Sequence, residues 1–297
     1  MPVLIELVAA SLLWAFSFGL IKRHLADADP FAVAAARLAI SLLAFLPWLR
    51  RARLPRGLRR RGMAWGALQF GAMYALYLAA YRDLPAYGVA LFTVTTPLFV
   101  AALEDARARR ASARHAAAAL LAVAGAATVF WRDPAAGPAW WRGALLVQAS
   151  NLCFAAGTVA FRALAAPGAS AGVAAGLTAW MYLGAVLLTG PLALVGAGGG
   201  RLDLDAAGWG VLAYLGLVPT ALGFFLWNRG ATRAPAGLVA AANNLKVPLG
   251  VAISWLVFGE RADPLRAAAG GAVIVLALAV AREKTATRGF GRRAAGA

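Results

Sequence analysis

Apolar runs long enough to cross a bilayer alternate along this chain with short clusters rich in Arg, Gly, Pro and Asp. About 20 apolar residues span a hydrocarbon core, and ten such runs are read: 4–21, 31–49, 62–81, 87–106, 115–131, 143–161, 172–195, 208–228, 236–258 and 266–281. The last is short, and Glu104 with Asp105 interrupts the fourth. The pattern predicts an all-α membrane protein. Its connections are short, with no soluble insert before the basic tail.

The ninth run sets Asn243, Asn244, Lys246 and Pro248 in its middle. An ammonium there costs at least a few kcal/mol. Proline also removes the helical partner of the Asn244 carbonyl, so a broken helix beside a cation is expected. A gapless shift of 151 residues lays Ala80, Arg82, Ala90, Pro97, Leu98, Val100 and Ala101 on Ala231, Arg233, Ala241, Pro248, Leu249, Val251 and Ala252. The two prolines and two loop arginines are the telling matches. Five spans per half is an odd number, so the halves insert upside down relative to one another. The fold expected is therefore ten transmembrane helices as two inverted five-helix repeats, residues 1–135 and 136–284, followed by a basic tail, 285–297. Inverted repeats with interrupted helices point to a secondary transporter with its site at the repeat interface. The breaks at Pro97 and Pro248 are expected to face each other across that cavity.

Composition agrees. Of 297 residues, 62% are hydrophobic and 14% charged, and mean hydropathy is +0.72, whereas a soluble domain is about one quarter charged. The net charge of +17 sits in loops between spans, which favours topogenesis over nucleic-acid binding. One side receives 19 Lys and Arg and the other 8. The richer side should be cytoplasmic, which places both termini inside a cell (inner) membrane. The single Cys153 excludes a disulfide framework or thiolate metal site. No cleavable signal is evident.

The segments LLWAFSFGLIKR (12–23), PFAVAAAR (30–37), TVTTPLF (93–99) and LGLVPTALGFFLWNRGATRAPAGL (215–238), continuing to the P-x(11)-E of Pro248 to Glu260, resemble the drug/metabolite transporter superfamily. Nearly the whole chain is similar to its ten-helix branch with two EamA-type repeats. The resemblance implies movement of small metabolites such as amino acids, amines or carboxylates, often outward. One departure is Arg109, which stands where the first repeat of that family usually carries Glu, with Glu104 and Asp105 one turn earlier.

Lys246 is the leading candidate contact, because the chain uses 26 Arg and only 3 Lys. It reads as a counter-ion for a substrate carboxylate, or else as a structural cation bonded to freed carbonyls. Asn243, three residues earlier, lies about 60° away and can share its cavity, whereas Asn244 should point elsewhere. Gln148, Asn151, Thr158 and Arg162 form one polar stripe on the sixth run, facing a water-filled path or neighbouring helices, the path slightly favoured. Arg37 either walls a cavity or snorkels to the periplasmic interface, the plainer reading. Trp14, Tyr74, Tyr77 and Trp180 stack on a substrate or pack. Glu104 and Asp105 read as a helix end neutralised by the basic loop.

No metal or cofactor is implied. The histidines His24 and His115 have no ligand spacing, and G-x-S-x-G, H-E-x-x-H and Walker A patterns are absent, which argues against an enzyme. Alternatives are a receptor or scaffold, and a nucleotide-sugar or phosphate-ester antiporter, which would want several buried basic residues. The partners expected are a small-molecule substrate and the lipid bilayer, without nucleic acid. A homodimer is compatible with the sequence.

Overall fold

The computed structural model describes residues 2–107, 138–165, 169–196, 199–234 and 236–260, with isolated positions between 109 and 128 and between 265 and 276. Helix α1 spans Pro2–His24, α2 Pro30–Arg51, α3 Arg56–Gly66 and α4 Met73–Ala79. After them come α5 (Ala86–Phe92), α6 (Thr96–Arg107), α7 (Trp140–Leu164) and α8 (Ala171–Val195). The described chain closes with α9 (Ala206–Leu215), α10 (Gly223–Arg233) and α11 (Ala236–Leu256). No strand occurs among the described residues.

Six helical stretches there are long and apolar enough to cross a membrane: Val3–His24, Pro30–Arg51, Ala86–Arg107, Trp140–Leu164, Ala171–Val195 and Ala206–Arg233. They coincide with six of the ten expected runs. Runs 62–81 and 236–258 are largely helical without being among the six, and runs 115–131 and 266–281 lie outside the continuously described residues. Exposed Ile5, Leu43, Leu46, Leu187 and Leu194 give the bundle an apolar outer surface suited to lipid.

Local chemistry starts several helices. Asp29 accepts hydrogen bonds from the Phe31 and Ala32 amides, with Pro30 at the first helical position of α2. Ser170 caps α8 and Asp205 caps α9 in the same way.

Helices from the two halves pack on each other: α2 on α8, α1 on α11 and α10, α3 on α8, and α6 on α7. The α3–α8 crossing is backbone on backbone. A Cβ on Gly66 would overlap the Met181 carbonyl oxygen, and one on Gly184 would overlap that of Met63. Small residues permit this approach where lipid offers no hydrophobic drive between helices.

Two π-helical segments, Ala67–Ala72 before α4 and Gly216–Leu222 before α10, widen the bundle at related places. The offset of 151 residues that aligns the halves lays 67–72 on 218–223, within the second segment but for one residue.

The proline expectation needs correction. Helix α11 runs uninterrupted through Pro248, which is exposed. Lys246 is two residues away, about 200° around the helix, so a lysine facing inward sends the proline outward. One missing N–H removes one rung, and the rungs on either side carry the helix. Around Pro97 the chain does depart from α-helix, tightening into a 3-10 turn at Thr93–Thr95. The Thr93 carbonyl that Pro97 leaves free accepts the Thr96 hydroxyl at 2.7 Å. Neither proline lines the central cavity, so the two do not face each other across it.

Candidate functional site

The site is built where α1, α2, α4, α7, α10 and α11 converge. Pro219 has no N–H, and the Leu215 carbonyl is taken instead by the Thr220 hydroxyl at 2.7 Å. Other carbonyls of the second π segment accept side chains from outside it. Pro219 O takes Trp14 Nε1 at 2.8 Å, Thr220 O takes the Tyr182 hydroxyl at 2.8 Å, and Gly216 O takes Ser41 Oγ at 2.7 Å. A π turn frees carbonyls from the i→i−4 ladder; here Trp14 and Ser41 fasten the first half to the second through them, and Tyr182 ties in α8.

Thr220 then receives Arg37. The guanidinium is 1% exposed, its Nε donates to Thr220 Oγ1 at 2.6 Å, and its Cζ lies 4.2 Å from the Tyr74 ring centroid. The Tyr74 hydroxyl lies 3.1 Å from the same Thr220 oxygen. Arg37 Nη1 is buried with no hydrogen-bond partner. Snorkelling is thereby overturned: the π segment supplies the acceptor that makes an inward arginine tenable.

Lys246 lies on α11, 7% exposed, its Nζ donating to Asn243 Oδ1 at 3.0 Å. The ammonium sits 5.0 Å from the Trp14 ring and 5.3 Å from that of Phe154, distances at which a cation is held by the aromatic face. Asn243 donates onward to Asn244 Oδ1 at 3.3 Å.

Both cations line one cavity of about 60 Å³, together with Trp14, Tyr74, Tyr77, Asn151, Phe154 and Phe224 among others. Its described lining includes no Asp or Glu. Rings join the two charges: Trp14 meets Phe224 at 5.0 Å, and Phe224 meets Tyr74 at 6.0 Å. An amphiphile with an anionic end fits these walls by its chemistry.

Of the expected contacts, Lys246, Arg37, Trp14, Tyr74, Tyr77 and Asn151 are brought together at the cavity. Asn243 supports Lys246 from behind. Gln148 is drawn off to α5–α6, where its oxygen accepts from Thr95 Oγ1 at 2.6 Å and its amide donates to Phe92 O at 3.3 Å. Asn151 Nδ2 reaches the same Phe92 carbonyl at 2.9 Å. Thr158 bonds its own helix, and Arg162 pairs with Glu104 at 2.9 Å. The favoured water path along the stripe is therefore corrected. The stripe docks α7 on α5–α6, whose 3-10 turn leaves carbonyls and hydroxyls to be satisfied. The neutralising partner of Glu104 therefore comes from α7. Trp180 lies outside the cavity, with the Arg59 guanidinium 5.3 Å from its ring.

Sequence reasoning missed Thr220, Phe154 and Phe224. The Val-Pro-Thr at 218–220, a proline followed by a hydroxyl inside an apolar run, was the available signal. Among the described residues no group of His, Cys, Asp or Glu is arranged to hold a metal.

An all-helical membrane bundle with a buried, aromatic-lined cavity carrying two cations is the architecture of a small-molecule transporter. Comparison with known proteins agrees: the EamA-like transporter family matches residues 1–131 and 141–282, and the chain belongs to that family. It is 40% identical over 281 residues to the "Probable biotin transporter" of Pseudomonas aeruginosa, covering 93% of this chain and 96% of that one. It is 35% identical over 292 residues to the "Biotin transporter" of Salmonella typhimurium and to that of Escherichia coli K12, covering 95% of this chain and 94% of each. A crystal structure aligns with a TM-score of 0.65 at 21% identity over 94% of this chain and 96% of its own, a likeness of fold. The protein is thus a multi-pass membrane transporter of a small metabolite and not an enzyme, in keeping with its sequence.

Proposed function

We propose that this protein carries biotin, or a closely similar amphiphilic carboxylate, across the inner membrane by alternating access, with Lys246 pairing the substrate carboxylate. The observation that carries this reading is a cavity with two buried cations and no acid in its described lining. The names of the relatives supply the ligand. An unpaired ammonium in a low-dielectric interior costs several kcal/mol, and an entering carboxylate removes that cost. Aromatic rings beside it suit the apolar body of such an acid.

A change in the shape of the site is needed on grounds of size. A cavity of about 60 Å³ holds a few waters, whereas a pocket for a drug-sized ligand is about 300–1,000 Å³. Substrate therefore occupies a wider state of the same site. Ten spans in two inverted repeats, both termini cytoplasmic, supply such a motion. The two-block family match and the overlapping π segments support the repeats.

The test is uptake of labelled biotin into proteoliposomes. Accumulation that unlabelled biotin competes away, absent from protein-free vesicles, is expected. No flux in either direction, with vesicles preloaded in one arm to read the export common in the resembled superfamily, would overturn the reading. A phosphate-ester antiporter draws support only from the second buried cation. The aromatic walls favour the acid.

A further inference from the structure

Arg37 is not used by a substrate with one carboxylate bound at Lys246. The two cations lie over different rings, Lys246 over Trp14 and Phe154, Arg37 over Tyr74. Phe224 touches both Trp14 and Tyr74 and so stands between the two poles. We infer that the site reads a two-headed ligand: Arg37 donates to a second hydrogen-bond acceptor at the far end of the substrate from its carboxylate, across the aromatic row.

Three observations carry this. Arg37 is fixed before any ligand arrives, by its Nε bond to Thr220 and by the Tyr74 face. Its Nη1 is buried without a partner, on a side chain that lines the cavity, so the wider state that admits a substrate has a spare donor to offer. A buried donor without an acceptor is costly to leave unmade, so a ligand that supplies the acceptor gains what the protein alone lacks. The Tyr74 quadrupole already offsets part of the positive charge, which suits a neutral carbonyl at this pole better than a second anion. Biotin has this form: a carboxylate on a short aliphatic chain, an apolar ring, and a ureido carbonyl at the other end.

The inference rests on the carboxylate reading of Lys246, and two analogues separate the heads. Biotinamide masks the acid, and iminobiotin replaces the ureido group with a guanidine, cationic at neutral pH, whose N–H groups only donate and whose charge Arg37 repels. In competition against labelled biotin on purified full-length protein, the parent is expected to prefer biotin over each analogue by about tenfold or more. Arg37→Gln, whose amide can both donate and accept, should lose the preference against iminobiotin and keep that against biotinamide. Lys246→Met should do the reverse. Arg37→Lys serves as a second variant: it keeps the charge without the fork and should retain part of the ureido preference.

Arg37→Gln and Arg37→Lys variants that discriminate against iminobiotin as the parent does would overturn the inference. So would an Arg37→Gln protein that loses acid-over-amide selectivity, since Arg37 would then be reading the carboxylate. An aliphatic dicarboxylate that displaces biotin more strongly than biotin itself would overturn it as well, in favour of a double-anion site. A Lys246→Met protein that still prefers acid over amide defeats the carboxylate assignment at Lys246, and the two-headed reading falls with it.

Discussion

Arg37 and Thr220, 183 residues apart, meet at 2.6 Å inside the bundle. The contact joins the second helix to a π turn in the other half of the chain. Thr220 also closes that turn onto the Leu215 carbonyl at 2.7 Å. One hydroxyl therefore fixes both a backbone irregularity and a charged side chain.

Thr220→Val keeps the shape of that side chain and removes the hydroxyl. It strips Leu215 O of a donor, Arg37 Nε of its acceptor and the Tyr74 hydroxyl of its partner, all in a buried setting. A loss of about 2–4 kcal/mol is expected, from three buried groups at roughly 1–3 kcal/mol each with partial relaxation. Thr220→Ser should stay close to the parent. Thermal unfolding in detergent checks both, and equal stability of the valine variant would show the hydroxyl to be dispensable.

Gly184 and Gly190 lie on the same helix and give opposite expectations. A methyl at Gly184 meets the Met63 backbone, whereas one at Gly190 meets nothing within 4 Å. Gly184→Ala should lower folded yield severely, because backbone cannot step aside as a side chain can. Gly190→Ala should be neutral or stabilise by up to about 1 kcal/mol through helix propensity. Size-exclusion profiles of the two proteins make the comparison.

Much of this site is legible in the sequence alone. Lys246 stands out as a rare lysine in an apolar run, and helical geometry by itself puts Asn243 beside it. The error at Pro248 is one of phase, since the same geometry that turns Lys246 inward turns Pro248 to the outside. The stripe on α7 reads as one face, but what it faces depends on the 3-10 turn at Thr93–Thr95, and periodicity within a single helix carries no information about its neighbour. The π segments are hidden for a related reason: widening a turn by one residue leaves hydrophobic composition unchanged. Arg37 looks fit to snorkel because its acceptor lies in the other half of the chain.

Glu260 gives the P-x(11)-E motif a physical role. Gly259 adopts a left-handed φ of +69° after α11, and the Glu260 carboxylate accepts the Ala86 and Tyr87 amides at 2.8 and 3.0 Å. It thus caps α5 from the far end of the chain, where two first-turn amides carry the positive end of the helix. Glu260→Ala should cost about 1–2 kcal/mol, and Glu260→Gln less. Thermal shift reads the order, and an unchanged midpoint in the alanine variant would dismiss the cap.

Orientation has its own test. Nineteen Lys and Arg fall on one side of the proposed ten spans and 8 on the other, so both termini are expected in the cytoplasm. An alkaline phosphatase fused to the C-terminus should be inactive there. Periplasmic activity would reverse the arrangement.

Lys246→Met separates the structural from the functional reading of the lysine. In the described state the ammonium has one neutral oxygen, that of Asn243, and two ring faces. Methionine keeps the length, packs against the same rings, and removes a charge that the interior disfavours. The variant should therefore unfold no earlier than the parent without ligand, and somewhat later if the charge is held at a cost. Biotin at about 100 times its dissociation constant should stabilise the parent by nearly 3 kcal/mol, and should shift the methionine variant far less. Lys246→Arg keeps a charge but forces a larger fork between Trp14 and Phe154, so its shift should fall between the two. A structural lysine predicts the opposite: a methionine variant that melts earlier and, once corrected for that, responds to biotin as fully as the parent.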